Sequence, residues 1–256
     1  MIDRRFETMT PGELESAVAE KPLAWLPIGT LEWHGRHLPV GLDALKAHSL
    51  CLRFAARAGG VVLPPDYFSI LGMNFPWTFK YSPDILARSV FTTLRKLDRS
   101  GFRAMIVITG HYPQEQVLLL MAVAEMFSFI HRGSSAVAVP EFAMAGASGY
   151  NGDHAAKWET SIMMELFPEL VDSSELEVIS GKRGFSLFRH GIQGRNPAEH
   201  ASRETGATVI AEMTENFAAL SEDMLRSPGP ALPRRVHSKT ISSHIKRLLR
   251  ALPEIF

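Results

Sequence analysis

Unbroken apolar runs of strand length, separated by helix-length stretches, constrain the fold of this chain most. Leu23–Ile28, residues 103–109 and residues 136–139 are apolar nearly throughout instead of alternating with polar residues. An alternating strand keeps one face in water; one apolar at every position is buried on both faces, as in a parallel sheet covered by helices. Parallel neighbours need a long crossover between them, and the stretches between these runs supply it. Residues 45–58 recur at helical period, and Ser82-Pro83 reads as an N-cap with proline at the first helical position, opening an amphipathic helix to about residue 100. Residues 114–129 read as a further helix, residues 61–63 as a short strand stopped by Pro64 and Pro65, and Thr10-Pro11-Gly12-Glu13 as the capped start of a short helix. The expected fold class is α/β: a single domain over residues 1–256, with a mostly parallel sheet flanked by helices on both faces.

That topology gives three polar clusters a common location. Between Gly29 and Asp43 the chain reads Gly-Thr-Leu-Glu-Trp-His-Gly-Arg-His-Leu-Pro-Val-Gly-Leu-Asp, which packs Glu32, His34, His37 and Asp43 into 12 residues directly after the first strand. Carboxylate oxygen and imidazole nitrogen are ligands for Zn, Mn and Fe. In an extended segment Glu32 and His34 leave the same face, and an Asp can bridge two cations through its two oxygens. His111 follows the strand ending at Thr109, and open parallel sheets bind ligands outside the carboxyl ends of their strands. Asp153, His154 and Glu159 stand between a Gly-containing loop and a further helix. His154 titrates near working pH and suits a proton shuttle, while Glu159 suits a metal. Structural alternatives stay open at this level: a polar loop satisfying backbone donors, and a helix start carrying His154 and Glu159 for capping and for the macrodipole.

Other classes have less support. The chain carries 27 Lys plus Arg against 27 Asp plus Glu, a balance that argues for neither a nucleic-acid partner nor an anionic membrane surface. The basic residues 234–250 are interrupted at helical spacing by Ile245, Leu248 and Leu249, as on a solvated helix face. No run approaches the roughly 18 apolar residues of a membrane span, and the amino-terminal residues lack the pattern of a secretory signal, so a cytoplasmic location is expected. Cys51 is the lone cysteine and sits in a helix-like apolar pattern, where it reads as an inert core residue. Gly29-Thr-Leu-Glu-Trp-His supplies no Gly-x-Gly-x-x-Gly turn, which disfavours a dinucleotide-binding oxidoreductase.

The Gly29–Asp43 segment resembles the hallmark of the creatininase (creatinine amidohydrolase) family. Later pieces match in order: Phe75-Pro76-Trp77-Thr78, Gly110-His111, His154-Ala155-Ala156 leading to Glu159-Thr160-Ser161, and Gly191-Ile192-Gln193-Gly194. The resemblance implies a two-metal site that hydrolyses amide-type C–N bonds in a lactam, a formamide or a peptide-like small substrate. Carried over by position, Glu32, Asp43 and His111 hold one divalent metal and His34 and Asp43 a second, each being Zn, Mn or Fe. His154 handles protons, and Glu159 serves as ligand or base beside a metal-activated hydroxide. Members are homo-oligomers, typically hexamers. Substrate selection is expected from Trp77, Tyr112 and Trp158. Three departures stand out: Pro113 where creatininase has a metal-binding Glu, Thr109 where Asn is usual, and Lys157 where many members carry Glu. Pro113 and Lys157 favour an alternative, a member that has lost catalysis and serves as a binding or assembly subunit. The six retained residues Glu32, His34, Asp43, His111, His154 and Glu159 count against it.

Overall fold

The computed structural model describes residues 4–181 and 188–227. In chain order its main elements are α1 (Pro11–Glu20), β1 (Leu23–Ile28), α2 (Leu42–Ala58), β2 (Val61–Val62), α3 (Pro83–Arg99), β3 (Ala104–Thr109), α4 (Gln114–Ile130), β4 (Ser135–Pro140), α5 (Lys157–Leu166), α6 (Ser173–Gly181), α7 (Pro197–His200) and α8 (Arg203–Arg226). The basic stretch at 234–250 lies outside the described residues.

The four strands form one parallel sheet in the order β2-β1-β3-β4. Every residue of β1, β3 and β4 is buried, as the apolar runs require. Alternate side chains then serve two cores. Ala24, Leu26, Ile28, Met105 and Val107 pack with α1, α3 and α4 on one face. Trp25, Ile106, Ile108, Val137 and Val139 pack with α2, α5 and α8 on the other. Helices therefore cover both faces, and none among the described residues is long and apolar enough to cross a membrane.

Local chemistry fixes the helix starts. Thr10 and Glu13 form a reciprocal capping box on α1, and Pro83 occupies the first turn of α3. Helix α2 begins at Leu42, three residues before the point at which its apolar period becomes legible, so Asp43 lies in its first turn and not in a loop. Helix α8, the longest described, crosses α5 with Gly206 so close that a Cβ there would lie 2.0 Å from Ser161 O. The order β2-β1-β3-β4 reverses between β1 and β3: the crossover through α2 leads one way from β1, and the next returns past it to β3. A topological switch point opens there at the carboxyl ends of both strands.

A candidate metal centre at the switch point

Two glycines let the first turn of α2 sit against the ends of β1 and β3. A Cβ on Gly29 would fall 2.1 Å from Ala44 N, and one on Gly110 would fall 2.3 Å from Asp43 O. Asp43 is thereby pressed between the strand that delivers Glu32 and His34 and the strand that delivers His111. Beyond β1 the chain leaves regular structure. Gly35 turns it at φ 67°, and Glu32 N donates to Val40 O at 2.8 Å, closing the loop back onto α2.

The side chains converge on one buried cluster. His34 Nε2 lies 3.1 Å from Asp43 Oδ1 and 3.7 Å from Glu159 Oε2. His111 Nδ1 lies 2.9 Å from Glu32 Oε2 and 3.1 Å from Asp43 Oδ2. Each imidazole is oriented from behind by a backbone carbonyl: His34 Nδ1 is 3.0 Å from Glu32 O, and His111 Nε2 is 3.3 Å from Ile70 O. A carbonyl can only accept, so those nitrogens carry the protons and the opposite nitrogens are aimed at the carboxylates. Metal-binding histidines are commonly anchored in this way. Glu32 Oε2, His34 Nε2 and Asp43 Oδ1 are buried and meet only other members of the cluster, none in well-formed hydrogen-bond geometry, an arrangement that ordinarily costs free energy unless a ligand meets them. Ligand atoms of Glu32, Asp43 and His111, and of His34, Asp43 and Glu159, each lie within 4.8 Å of one another. Five of the expected residues thus form two adjacent triads sharing Asp43, a donor set suited to a borderline divalent cation.

Without a cation the cluster is held by protons. Burial on its own would lower the His34 imidazolium pKa, but Asp43, with Glu159 and Glu32, holds it up to about 9. Against the same burial, Asp43 and Glu32 hold His111 up to about 10. Burial would also raise the Asp43 carboxyl, yet His34 and His111 keep it well below the usual carboxylate range.

His154 lies beside His34, tilted against it with ring centroids 4.3 Å apart. Its Nε2 lies 2.8 Å from Trp33 O, which places the proton on Nε2 and leaves Nδ1 bare. Burial, reinforced by the neighbouring His34 charge, lowers its pKa. Next to it Ala155 adopts a left-handed conformation, φ 52°, and its N–H donates to Glu159 Oε2 at 2.7 Å. His37 shares the first motif but turns away, its Nε2 lying 3.0 Å from Thr160 Oγ1.

Two residues not anticipated from sequence complete the interior. Lys46, fully buried, reaches Glu159 Oε1 at 2.7 Å and Glu141 Oε1 at 2.8 Å. It also donates to the Tyr112 hydroxyl, which in turn donates to Glu141 and lies 2.7 Å from the Tyr150 hydroxyl. Although burial opposes its charge, Glu141 and Glu159 raise the Lys46 pKa. Lys46 stands three residues after Asp43 on the same helix face, and Glu141 directly follows β4, so the strand-end rule could have found it.

A cavity of about 580 Å³ opens onto the cluster, with Glu32, Asp43, His111, Tyr112, His154 and Glu159 among its walls. Of the aromatic residues expected to select substrate, Tyr112 is in the wall. Trp77 stands outside it and is 69% exposed, while Trp158 packs at a tilt against Tyr150 and receives Lys157 Nζ over its ring at 3.9 Å. Lys157 is therefore held on an aromatic face. Cys51 is buried and its thiol pKa is pushed up by burial.

Known proteins share this arrangement of chain. The family model described as creatininase, creatinine amidohydrolase, matches residues 7–221. The creatinine amidohydrolase of Pseudomonas putida is 27% identical over 187 residues, covering 64% of this chain and 72% of that protein. The mycofactocin precursor peptide peptidase of Mycolicibacterium smegmatis is 27% identical over 177 residues, covering 66% of each chain. The 3-dehydro-scyllo-inosose hydrolase of Thermotoga maritima is 24% identical over 201 residues, covering 70% of this chain and 61% of that protein. A crystal structure of creatininase superposes with a TM-score of 0.75 at 23% identity, over 89% of this chain and 99% of that one. A structure described as creatininase Mn does so with a TM-score of 0.74 at 24% identity, over 89% and 100%.

Proposed function

Because this chain belongs to the creatininase family, we propose that it is a metal-dependent hydrolase cleaving an amide-type C–N bond in a small substrate. The observation that carries the reading is the pair of histidines, each donating one ring N–H to a backbone carbonyl and aiming the other nitrogen at buried carboxylates. Glu32, Asp43 and His111 would hold one divalent cation, and His34, Asp43 and Glu159 a second, with Zn, Mn and Fe all compatible with these donors. Such a cation supplies Lewis acidity, lowering the pKa of bound water from 15.7 to about 7 and polarising a carbonyl oxygen.

The chain's own residues supply the rest. The cavity is of a size that takes a small molecule. His154, neutral and bare at Nδ1, would take up at that atom the proton released by the attacking water and deliver it to the departing nitrogen as the C–N bond breaks. Ala155 N–H and Lys46 fix the Glu159 carboxylate so that it cannot swing toward the leaving group. Two of the relatives named above are named for creatinine and for a precursor peptide, which supports a screen across lactams and peptide amides in place of one preferred substrate.

The test is metal content per subunit by elemental analysis, on wild type and Asp43→Ala, followed by that screen with and without a chelator. Bound metal that collapses in Asp43→Ala, with hydrolysis abolished by chelation, is the expected result. No metal after reconstitution with Zn, Mn or Fe would overturn the reading and favour a subunit without catalysis.

A further inference from the structure

Lys46 belongs to neither the ligand set nor the proton path, yet it lies fully buried against Glu159, one of the proposed ligands. An ammonium removed from water needs three acceptors, and Lys46 has three: Glu159 Oε1, Glu141 Oε1 and the Tyr112 hydroxyl. This is a built position for a positive charge. Its consequence falls on Glu159. One oxygen of that carboxylate is committed to Lys46, and the other accepts the Ala155 N–H. By contrast, Glu32 Oε1 accepts the Met73 N–H and Oε2 faces His111 Nδ1 at 2.9 Å, with no lysine on either. Both triads share Asp43, whose Oδ2 faces His111 and whose Oδ1 faces His34, each at 3.1 Å. They differ in the second carboxylate: Glu32 keeps its charge for a cation, whereas Glu159 is already neutralised by a lysine. Pro113, in the wall of the same cavity, adds no oxygen there. A cation beside Glu159 would also meet the Lys46 charge across a single carboxylate, where like charges repel with little screening.

We propose that Lys46 makes the two metal positions unequal, so that the chain holds one divalent cation tightly at Glu32, Asp43 and His111 and a second only weakly at His34, Asp43 and Glu159. The inference rests on the metal-hydrolase reading, and one titration separates the two. Metal-free protein is titrated with Mn²⁺ by calorimetry at fixed pH. Wild type is expected to show one tight site and a second at least tenfold weaker. Lys46→Met combined with Glu141→Gln removes the buried cation together with one of its two carboxylates, so the net charge of the site is unchanged and the Glu159 carboxylate is released for a cation. In that variant the weak site should tighten tenfold or more while the tight site stays unchanged. Glu141→Gln alone keeps Lys46 on Glu159 and should keep the sites unequal. Should the double variant fail to fold, as judged by circular dichroism, Glu159→Gln decides: it should erase the weak site and spare the tight one. Two equal sites in wild type, an unmoved weak site in the folded double variant, or loss of the tight site in Glu159→Gln would each overturn the inference while leaving the hydrolase reading standing. No binding at all would overturn both.

Discussion

Replacing Gly110 with alanine tests whether the sheet itself sets the metal ligands. The new Cβ would lie 2.3 Å from Asp43 O, 3.0 Å from Asp43 C and 3.3 Å from Asp43 Cα, all backbone atoms that cannot rotate aside. Ordinary contact begins at 3.4 Å, so one partner must retreat by about 1 Å. The strand is the less free of the two, because Gly110 N is tied to Ile28 O at 2.8 Å and β3 is paired on both sides. The start of α2 therefore moves and carries Asp43 away from His111. Ligand distances at a metal site tolerate about 0.2 Å, so the displacement is several times what the site can absorb. Overpacking of this kind costs about 1–3 kcal/mol. A shift of the urea midpoint at constant m reads that cost, and Mn²⁺ affinity, expected to fall at least tenfold, reads the site. Gly12→Ala is the control. No atom lies within 4 Å of its Cβ position in α1, and it should stabilise by about 0.5–1 kcal/mol without touching metal affinity. If Gly110→Ala lost stability but kept wild-type metal affinity, the claim that the strand ends position Asp43 would be wrong.

Three further outcomes follow from the geometry. In metal-free protein His34 and His111 have pKa values raised to about 9 and about 10, so their stabilisation is complete below the unfolded value near 6.5. It drains away progressively as pH rises from about 6.5 to 9–10, and the urea midpoint of the metal-free form should fall across that window; a flat profile would contradict the pairing. Loading Mn²⁺ at pH 7.5 should release protons from the same two imidazoles, measured by calorimetry in buffers of different ionisation heat, and zero release would show them neutral beforehand. His154→Gln should lower hydrolysis by about 10²–10⁴-fold with metal content unchanged, whereas loss of metal would make His154 a ligand.

The layered fold was legible because burial on both faces of a parallel sheet leaves an unmistakable apolar record in β1, β3 and β4. The rim was legible too, since Glu32, His34 and His111 follow strand ends where a doubly wound sheet opens. Helix α8 was not anticipated. Its buried positions, including Val209, Ile210, Met213 and Phe217, recur at helical spacing after the Ser202 cap, but intervening Glu and Thr residues lower its apolar signal. Spacing could not separate His34 from His37, because the left-handed turn at Gly35 sends one inward and the other to Thr160. Nor could it find the partners of Lys46. A lysine three residues after an aspartate on a helix is ordinarily a solvated pair, and only closure of β4 and α5 over α2 brings Glu141 and Glu159 to it.

The ligands also differ in what holds them. Asp43 and Glu159 lie in the first turns of α2 and α5, where the helix dipole favours negative charge by about 0.3–1 kcal/mol each. Asp153 further ties down the start of α5 by accepting the Trp158 and Glu159 N–H groups at 2.8 and 3.2 Å. His111 directly follows β3, with Thr109 Oγ1 bonding its backbone. Glu32 has no such support. Its carboxylate is clasped by Met73 N–H, at the end of a loop in which Leu71 is left-handed at φ 63° and Gly72 sits at φ 129°. A left-handed leucine costs on the order of 1 kcal/mol or more, and it persists only if something else fixes the loop. The bond from Met73 to Glu32 is one such restraint, beside those from Ile70 N to Gln116 and from Gln193 to Met73 Sδ, and it is strongest while Glu32 is ionised. Burial would raise the Glu32 carboxyl, but His111 holds it below the usual carboxylate value, so at neutral pH the 71–73 loop, which lines the cavity, keeps this anchor in the metal-free protein.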